Sequence, residues 1–245
     1  MTARSLFAAL VLAAAAIGRL AADEPITLMY EDRPPYKVRN PDGTLSGPGL
    51  APVEAAFRAA HVAYVWEEVP ALREVELIRA NHDKTCGTAF YKTPERSGFA
   101  KFSKPLFRDT PLVVVVAKFA AFDAKRSFEA LLGDPKATVI LRAGTAYGDT
   151  VDAWIARAKA ETVYAAVSED NIMDMIAIGR GDFTIMRREV VDLYAKREHT
   201  RLADLEVLTP PDTPPGGSRY LMCSAKVDDA ILQAINQYLP DLPAN

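Results

Sequence analysis

Histidine and cysteine are scarce in this chain of 245 residues, which holds three of the first and two of the second. His61, His82 and His199 have no Cys or Glu companions at ligand spacing, so no metal site is expected. There is no Gly-x-Ser-x-Gly element, phosphate loop or dinucleotide fingerprint. That removes the common serine hydrolases, the P-loop enzymes and the nicotinamide enzymes, and leaves no cofactor to expect. Basic runs, low-complexity tracts and short repeats are lacking too. With a formal charge of −3, the chain offers no footing for nucleic acid or an anionic membrane.

What is present begins at the N-terminus. Arg4 precedes the apolar run SLFAALVLAAAAIG, which is followed by a small-residue exit at Ala21-Ala22 and then by Asp23-Glu24-Pro25. This is the order of a secretory signal, and the run is shorter than the roughly 20 residues of a membrane span. Residues 1–22 are therefore expected to be a signal peptide, cleaved near Ala22, and the mature chain to be a periplasmic protein without a membrane anchor. Cleavage removes Arg4 and Arg19 and no acid, so the charge moves from −3 to −5. In an oxidising compartment the pair Cys86 and Cys223 invites a disulfide, the alternative being two buried thiols acting as small hydrophobes.

Nearly half the residues are hydrophobic, enough for one large domain or two lobes. Short strands are expected at 26–30, 62–66 and 86–90, alternating with helices at 50–60 and 71–81. After the apolar run PLVVVVA (111–117) a second set follows. Strands are expected at 138–141, 163–167 and 183–186, with helices at 148–158, from a cap at Asp170, and at 188–196. TPPDTPPGGS (209–218) breaks the pattern before a last strand and helix. The alternation implies parallel α/β sheets covered on both faces.

Pro34-Pro35-Tyr36, the Asp42-Gly43-Thr44-Leu45-Ser46-Gly47 turn, Lys92-Thr93-Pro94-Glu95-Arg96 and Phe102-Ser103-Lys104-Pro105 carry a likeness over nearly the whole mature chain. Ala143-Gly144-Thr145 and Ile178-Gly179-Arg180-Gly181-Asp182 continue it in the second half. The chain resembles the family 3 periplasmic solute-binding proteins that serve amino-acid ABC importers. The resemblance implies a two-lobe (type II, Venus-flytrap) α/β fold with a two-stranded hinge. Residues 23–116 and 211–245 would form lobe 1, and 117–210 lobe 2. It further implies a monomer that closes on a small carboxylate-bearing ligand and presents it to an ABC permease.

Within that resemblance, Arg96 is the residue that forks onto the ligand carboxylate, and Thr145 approaches the same group from the second lobe. The residues themselves agree: Thr93 can cap, Pro94 suits a first helical position, and a guanidinium presents a donor fork matched to a carboxylate. The glycine before Thr145 and the helix after it favour an anion site with amide donors.

The chain also departs from the family. The aspartate that holds an amino acid's ammonium falls on Arg187, or with a small slip on Glu189. A cation there repels an ammonium by about 1 to 4 kcal/mol at contact. Arg33 stands where a covering ring is usual, flanked by Tyr30 and Tyr36, and Tyr91 and Tyr147 add further rings to the expected cleft. The expected site is thus Arg96, Thr145, Tyr91, Arg33, Tyr30, Tyr147 and Arg187, taking an anionic ligand without an essential amine. Two rival readings remain. One is a ligand-binding subunit for a membrane sensor. The other is a dehydratase-like enzyme on the same scaffold with Glu31, Asp32, Glu95 or His82 as acid or base. A non-enzyme is the preferred expectation.

Overall fold

In a computed structural model, the chain is described over residues 24–120, 123, 126–198 and 200–242. The expected signal peptide and His199 lie outside the described residues.

The first half runs β1 (Ile26–Tyr30), β2 (Val38–Arg39), β3 (Leu45–Ser46), α1 (Ala51–Ala59), β4 (Tyr64–Glu68), α2 (Ala71–Ala80), β5 (Thr85–Phe90), α3 (Pro94–Ser97) and β6 (Ala100–Arg108). The second half runs β7 (Leu112–Ala117), α4 (Phe128–Leu132), β8 (Thr138–Arg142), α5 (Asp149–Ala156), β9 (Glu161–Ala165), α6 (Glu169–Ala177), β10 (Phe183–Arg187), α7 (Arg188–Tyr194) and β11 (Leu205–Leu208). The chain then returns through β12 (Ser218–Ser224) and α8 (Asp229–Asn236).

Two five-stranded sheets result, in the orders β4-β1-β5-β12-β6 and β11-β7-β10-β8-β9. Both are mixed rather than purely parallel. β12 is antiparallel to β5 and β6, and β7 is antiparallel to β10 and β11. The reason is the crossing: each sheet takes in a strand whose partner arrives through a hinge segment rather than a helix. β6 is not announced by the sequence pattern, because Pro105 interrupts it. It lies at the edge of its sheet, where a residue without an N–H is tolerated.

β7 shows how sequence becomes layers. All six residues are buried, and successive side chains face opposite ways. Leu112, Val114 and Val116 join the cluster around Phe128, Val151 and Phe183, whereas Val113, Val115 and Ala117 join that of Ile172, Ile176 and Val190. Leu112–Val116, expected in the first lobe, thus pairs in the second sheet, and the chain crosses between sheets at 109–111 and 209–217. The two crossings touch where Asp109 N donates to Gly217 O at 3.0 Å.

Two strands sit two residues away from their expected positions, 64–68 for 62–66 and 161–165 for 163–167, because neighbour register decides (Thr138 opposite Glu161). The helix expected to be capped by Asp170 instead starts after Ser168, whose hydroxyl accepts from Asn171 N at 3.2 Å. Cys86 on β5 and Cys223 on β12 face each other across the ladder and are bonded, closing a loop 137 residues long. The free-thiol alternative is thereby set aside.

Candidate ligand-binding cleft

The site lies between the sheets, at the carboxyl ends of β1, β5 and β8, where α/β sheets bind ligands. Arg33 and Lys37 are brought side by side by a tight turn, with Arg33 N donating to Lys37 O at 2.7 Å. In the Thr-Pro-Glu-Arg element Thr93 caps as expected, its hydroxyl accepting from Arg96 N at 3.2 Å. On the opposite wall β8 ends at Arg142, and Gly144 turns with φ +73°, a backbone that favours glycine, to present Thr145.

Arg33, Thr145, Tyr147 and Arg187 line one inner cavity of about 20 Å³. Arg33, Lys37, Arg96 and Thr145 line another of about 30 Å³. Arg96 and Thr145 also border an open mouth of about 590 Å³. Tyr91 stands behind Arg187, its hydroxyl accepting from that guanidinium and donating to Asp109 Oδ2 at 2.7 Å. Tyr30 stands apart. It packs edge-on against Trp66, 5.8 Å between centroids, in a separate groove with Arg39 and Glu68. The structure therefore lines the cleft cavities with five of the seven expected residues, sets Tyr91 behind Arg187 and leaves Tyr30 out.

Charge pairing separates these residues. Arg33 donates through Nε to Glu169 Oε1 at 2.7 Å, and Arg142 Nη2 reaches Glu31 Oε2 at 2.6 Å, so two ion pairs join the walls. Burial pushes the Glu169 carboxyl up, but Arg33 and Arg142 outweigh it and hold the carboxyl below its ordinary range. At the hinge, Asp109 Oδ2 accepts from Arg187 Nε at 3.0 Å and Arg219 Nε at 2.7 Å, while the Arg219 guanidinium lies 3.8 Å from the Tyr91 ring centroid. Glu189, the alternative partner for an amine, accepts from Tyr36 Oη at 2.8 Å and from Thr110.

Arg96 is different. It is buried, donates only to the Tyr91 carbonyl at 3.2 Å, rests on the Phe90 ring, and has no ion-paired carboxylate among the described residues. Burial, with Arg219 nearby, pushes its pKa down, and the Glu95 and Asp152 carboxylates at the mouth oppose this only in part. Across the cleft Thr145 Oγ1 is buried without a hydrogen-bond partner. The expected amide donors beside it are already engaged: Thr145 N bonds Arg142 O, and Tyr147 N and Gly148 N bond the Asp152 carboxylate. Thr145 thus offers its hydroxyl, not an amide nest.

Lys37, Glu74, Asp109, Arg142, Glu169 and Arg219 escape sequence reasoning. Only Arg142, at the end of an expected strand beside the Gly-Thr turn, carried a usable signal. Around the inner cavities the cations Arg33, Lys37, Arg96, Arg142, Arg187 and Arg219 stand with the carboxylates Glu31, Glu74, Asp109 and Glu169, and the mouth beside Arg96 and Thr145 adds the carboxylates Glu95, Asp149 and Asp152. The rival acid–base candidates are placed elsewhere or occupied. Asp32 accepts from Arg39 N, Glu95 pairs with Arg79, Glu31 is held by Arg142, and His82 is exposed.

No protein-family profile matches the chain, and no curated sequence matches it. Solved structures do. An ancestral arginine-binding protein bound to arginine superposes with a TM-score of 0.69 at 19% identity, covering 88% of this chain and 91% of that one. The amino-acid ABC transporter substrate-binding protein AbpA of Streptococcus pneumoniae, bound to L-arginine, gives 0.68 at 15% identity over 88% and 86%. A structure from work on glutathione import through GshT and the cystine importer TcyBC of Streptococcus mutans gives 0.69 at 16%, over 89% and 88%. At these identities the likeness is one of fold. The chain has the two-lobe α/β fold of periplasmic binding proteins, and its structural neighbours include an arginine-binding protein and a substrate-binding protein of an amino-acid ABC transporter.

Proposed function

We propose that the protein is a periplasmic solute-binding protein that closes on a small carboxylate-bearing ligand and hands it to an ABC importer. The observation that carries this reading is Arg96, a buried guanidinium without an ion-paired carboxylate, facing the unpartnered Thr145 hydroxyl across the cleft. An unpaired buried charge is costly, and an incoming carboxylate supplies what is missing on both walls. Such a ligand binds both lobes together better than either alone, which favours closure.

The ligand is anionic and not an ordinary α-amino acid. Arg187 is read as standing where the family's ammonium-holding aspartate would be, and the two carboxylates lining the inner cavities, Glu31 and Glu169, are each held by an arginine. The inner cavities hold about one water each, so the ligand's charged groups replace the Arg33–Glu169 and Arg142–Glu31 contacts as the walls part. Secretion by the leader at residues 1–22, a monomeric state and the absence of catalysis belong to the same reading.

The test is a thermal-shift screen of wild type and Arg96→Ala against amino acids, dicarboxylates, aromatic acids and sugars. Stabilisation by an anionic compound, abolished in Arg96→Ala, supports the reading. Tight binding of neutral or cationic compounds alone, indifferent to Arg96, overturns it.

A further inference from the structure

One buried pair in the cleft wall takes no part in the site described so far. Glu74, on α2, is fully buried, and neither of its oxygens accepts a hydrogen bond among the described residues. Its ion-pair partner, Lys37 Nζ, stands 3.5 Å from Oε1, beyond good hydrogen-bond length. Lys37 lines the same cavity as Arg96 and Thr145. Its Nζ lies 5.8 Å from the Phe90 ring centroid, and the Arg96 guanidinium carbon lies 5.0 Å from the same centroid. The amine and the guanidinium therefore share one ring and one cavity, and can be no farther apart than those two distances combined.

The surroundings push both members of the pair the same way. Burial lowers the Lys37 pKa, reinforced by Arg33 and opposed by Glu74 and Glu31. Burial also raises the Glu74 carboxyl to about 7, with Glu31 reinforcing it and Lys37 and Arg142 opposing. Transfer of the ammonium proton to the carboxylate turns two desolvated charges into a neutral amine beside a neutral carboxyl. A nucleophilic amine adjacent to a proton donor is what condensation with a carbonyl needs.

We propose that Lys37 condenses reversibly with the carbonyl of a short-chain oxo acid whose carboxylate rests on Arg96. This rests on the carboxylate-binding reading above and names the ligand class for it. The Nζ lone pair forms the C–N bond, the carbonyl π pair moves to oxygen, and that oxygen takes the proton from the Glu74 carboxyl. Glu74 then recovers a proton from nitrogen and returns it to the hydroxyl, which leaves as water while the nitrogen lone pair closes the C=N bond. The products are a protonated imine, a carboxylate beside it, and one water. Net charge is unchanged from the resting ion pair, and no oxidant or reductant takes part.

The experiment incubates the full mature chain with pyruvate, 2-oxoglutarate or succinic semialdehyde, with and without sodium borohydride. Intact mass and peptide mapping follow. Reduction of the imine is expected to add the mass of the oxo acid less one oxygen, on the peptide carrying Lys37. Lys37→Arg, which keeps the cation opposite Glu74, is expected to abolish the adduct. Arg96→Ala is expected to cut its yield roughly tenfold or more, the scale of a lost charged hydrogen bond.

Adducts spread over surface lysines and unchanged in Lys37→Arg overturn the proposal, and so does their absence from wild type. Thermal shifts of the same samples without borohydride separate this from the parent reading. An oxo acid that stabilises wild type but not Arg96→Ala, yet leaves no adduct on Lys37, sinks the imine and leaves the carboxylate cleft standing. If no anionic compound stabilises the protein and none is trapped, both fall. Should Lys37→Arg fail to fold, the wild-type peptide map still decides.

Discussion

The two ends of the cleft hold the same kind of residue in opposite circumstances. At the hinge, Arg187 and Arg219 share the Asp109 carboxylate, and Tyr91 closes the group with its hydroxyl and ring. Toward the mouth, Arg96 has a backbone carbonyl and a ring but no ion-paired carboxylate, and the facing Thr145 hydroxyl has no hydrogen-bond partner, among the described residues. Buried polar groups are ordinarily satisfied, and at the hinge the charges are paired although Asp109 Oδ1 accepts no hydrogen bond among the described residues, so the hinge cluster reads as architecture and the mouth as a place reserved for something else. An arginine's role in this cleft follows from its partner, not from its residue type.

The largest test of that contrast is Asp109→Ala. It leaves two buried guanidiniums without their shared carboxylate, and a loss of about 3–5 kcal/mol in unfolding free energy is expected by urea denaturation. A loss under about 1 kcal/mol, the range of surface pairs, would mean that the hinge is as unsatisfied as the mouth.

Next in size is a pH effect from the mouth-side wall. Glu74 binds its proton up to about pH 7 in the folded chain, whereas the unfolded carboxyl releases it near 4.5. Taken by itself, Glu74 holds more protons in the native state between those values, so its own contribution to stability falls as pH rises, while the lowered Lys37 pKa works in the opposite direction. The Glu74 contribution is fully present below about pH 4.5 and is lost through pH 7, and Lys37 offsets part of it. Denaturation at pH 5 and pH 8 measures it, and Glu74→Gln should flatten the slope.

Arg96→Ala should weaken an anionic ligand by about 1.5–3 kcal/mol, roughly 10- to 150-fold, while the melting temperature of the free protein holds or rises because an unpaired buried charge has gone. Calorimetry and thermal melts read the two effects separately. Loss of both stability and affinity would make Arg96 structural and erase the contrast. The smallest effect belongs to Thr145→Val, which keeps the shape and removes the hydroxyl. Affinity should drop by about 0.5–1.5 kcal/mol with no loss of stability, since Oγ1 has no partner to lose.

Much of the fold was legible in the chain because its signals are local. The Thr93 cap, the buried run at 112–117 and the alternation of strands with helices depend on neighbours in sequence, and each appears where it was expected within two or three residues. Errors arose where distant strands arbitrate. β4 and β9 took their limits from β1 and β8, β6 needed an edge to accommodate Pro105, and Leu112–Val116 joined the sheet that could cover it on both faces.

The site divides along the same line. Composition and motif singled out Arg33, Arg96, Thr145, Tyr147 and Arg187, which line the inner cavities, and Tyr91, which lines none of them and backs Arg187; Tyr30 lies apart, because β1 turns it toward Trp66. What sequence by itself determined was which donors the chain carries and where its strands end. Only the tertiary structure decided which of those donors are already spent. Asp109 lies 78 residues from Arg187 and 110 from Arg219, and Glu169 lies 136 from Arg33. Pairing over such separations is set by how the two sheets close, and among the described residues closure leaves Arg96 without an ion-paired carboxylate and Thr145 Oγ1 without a hydrogen bond.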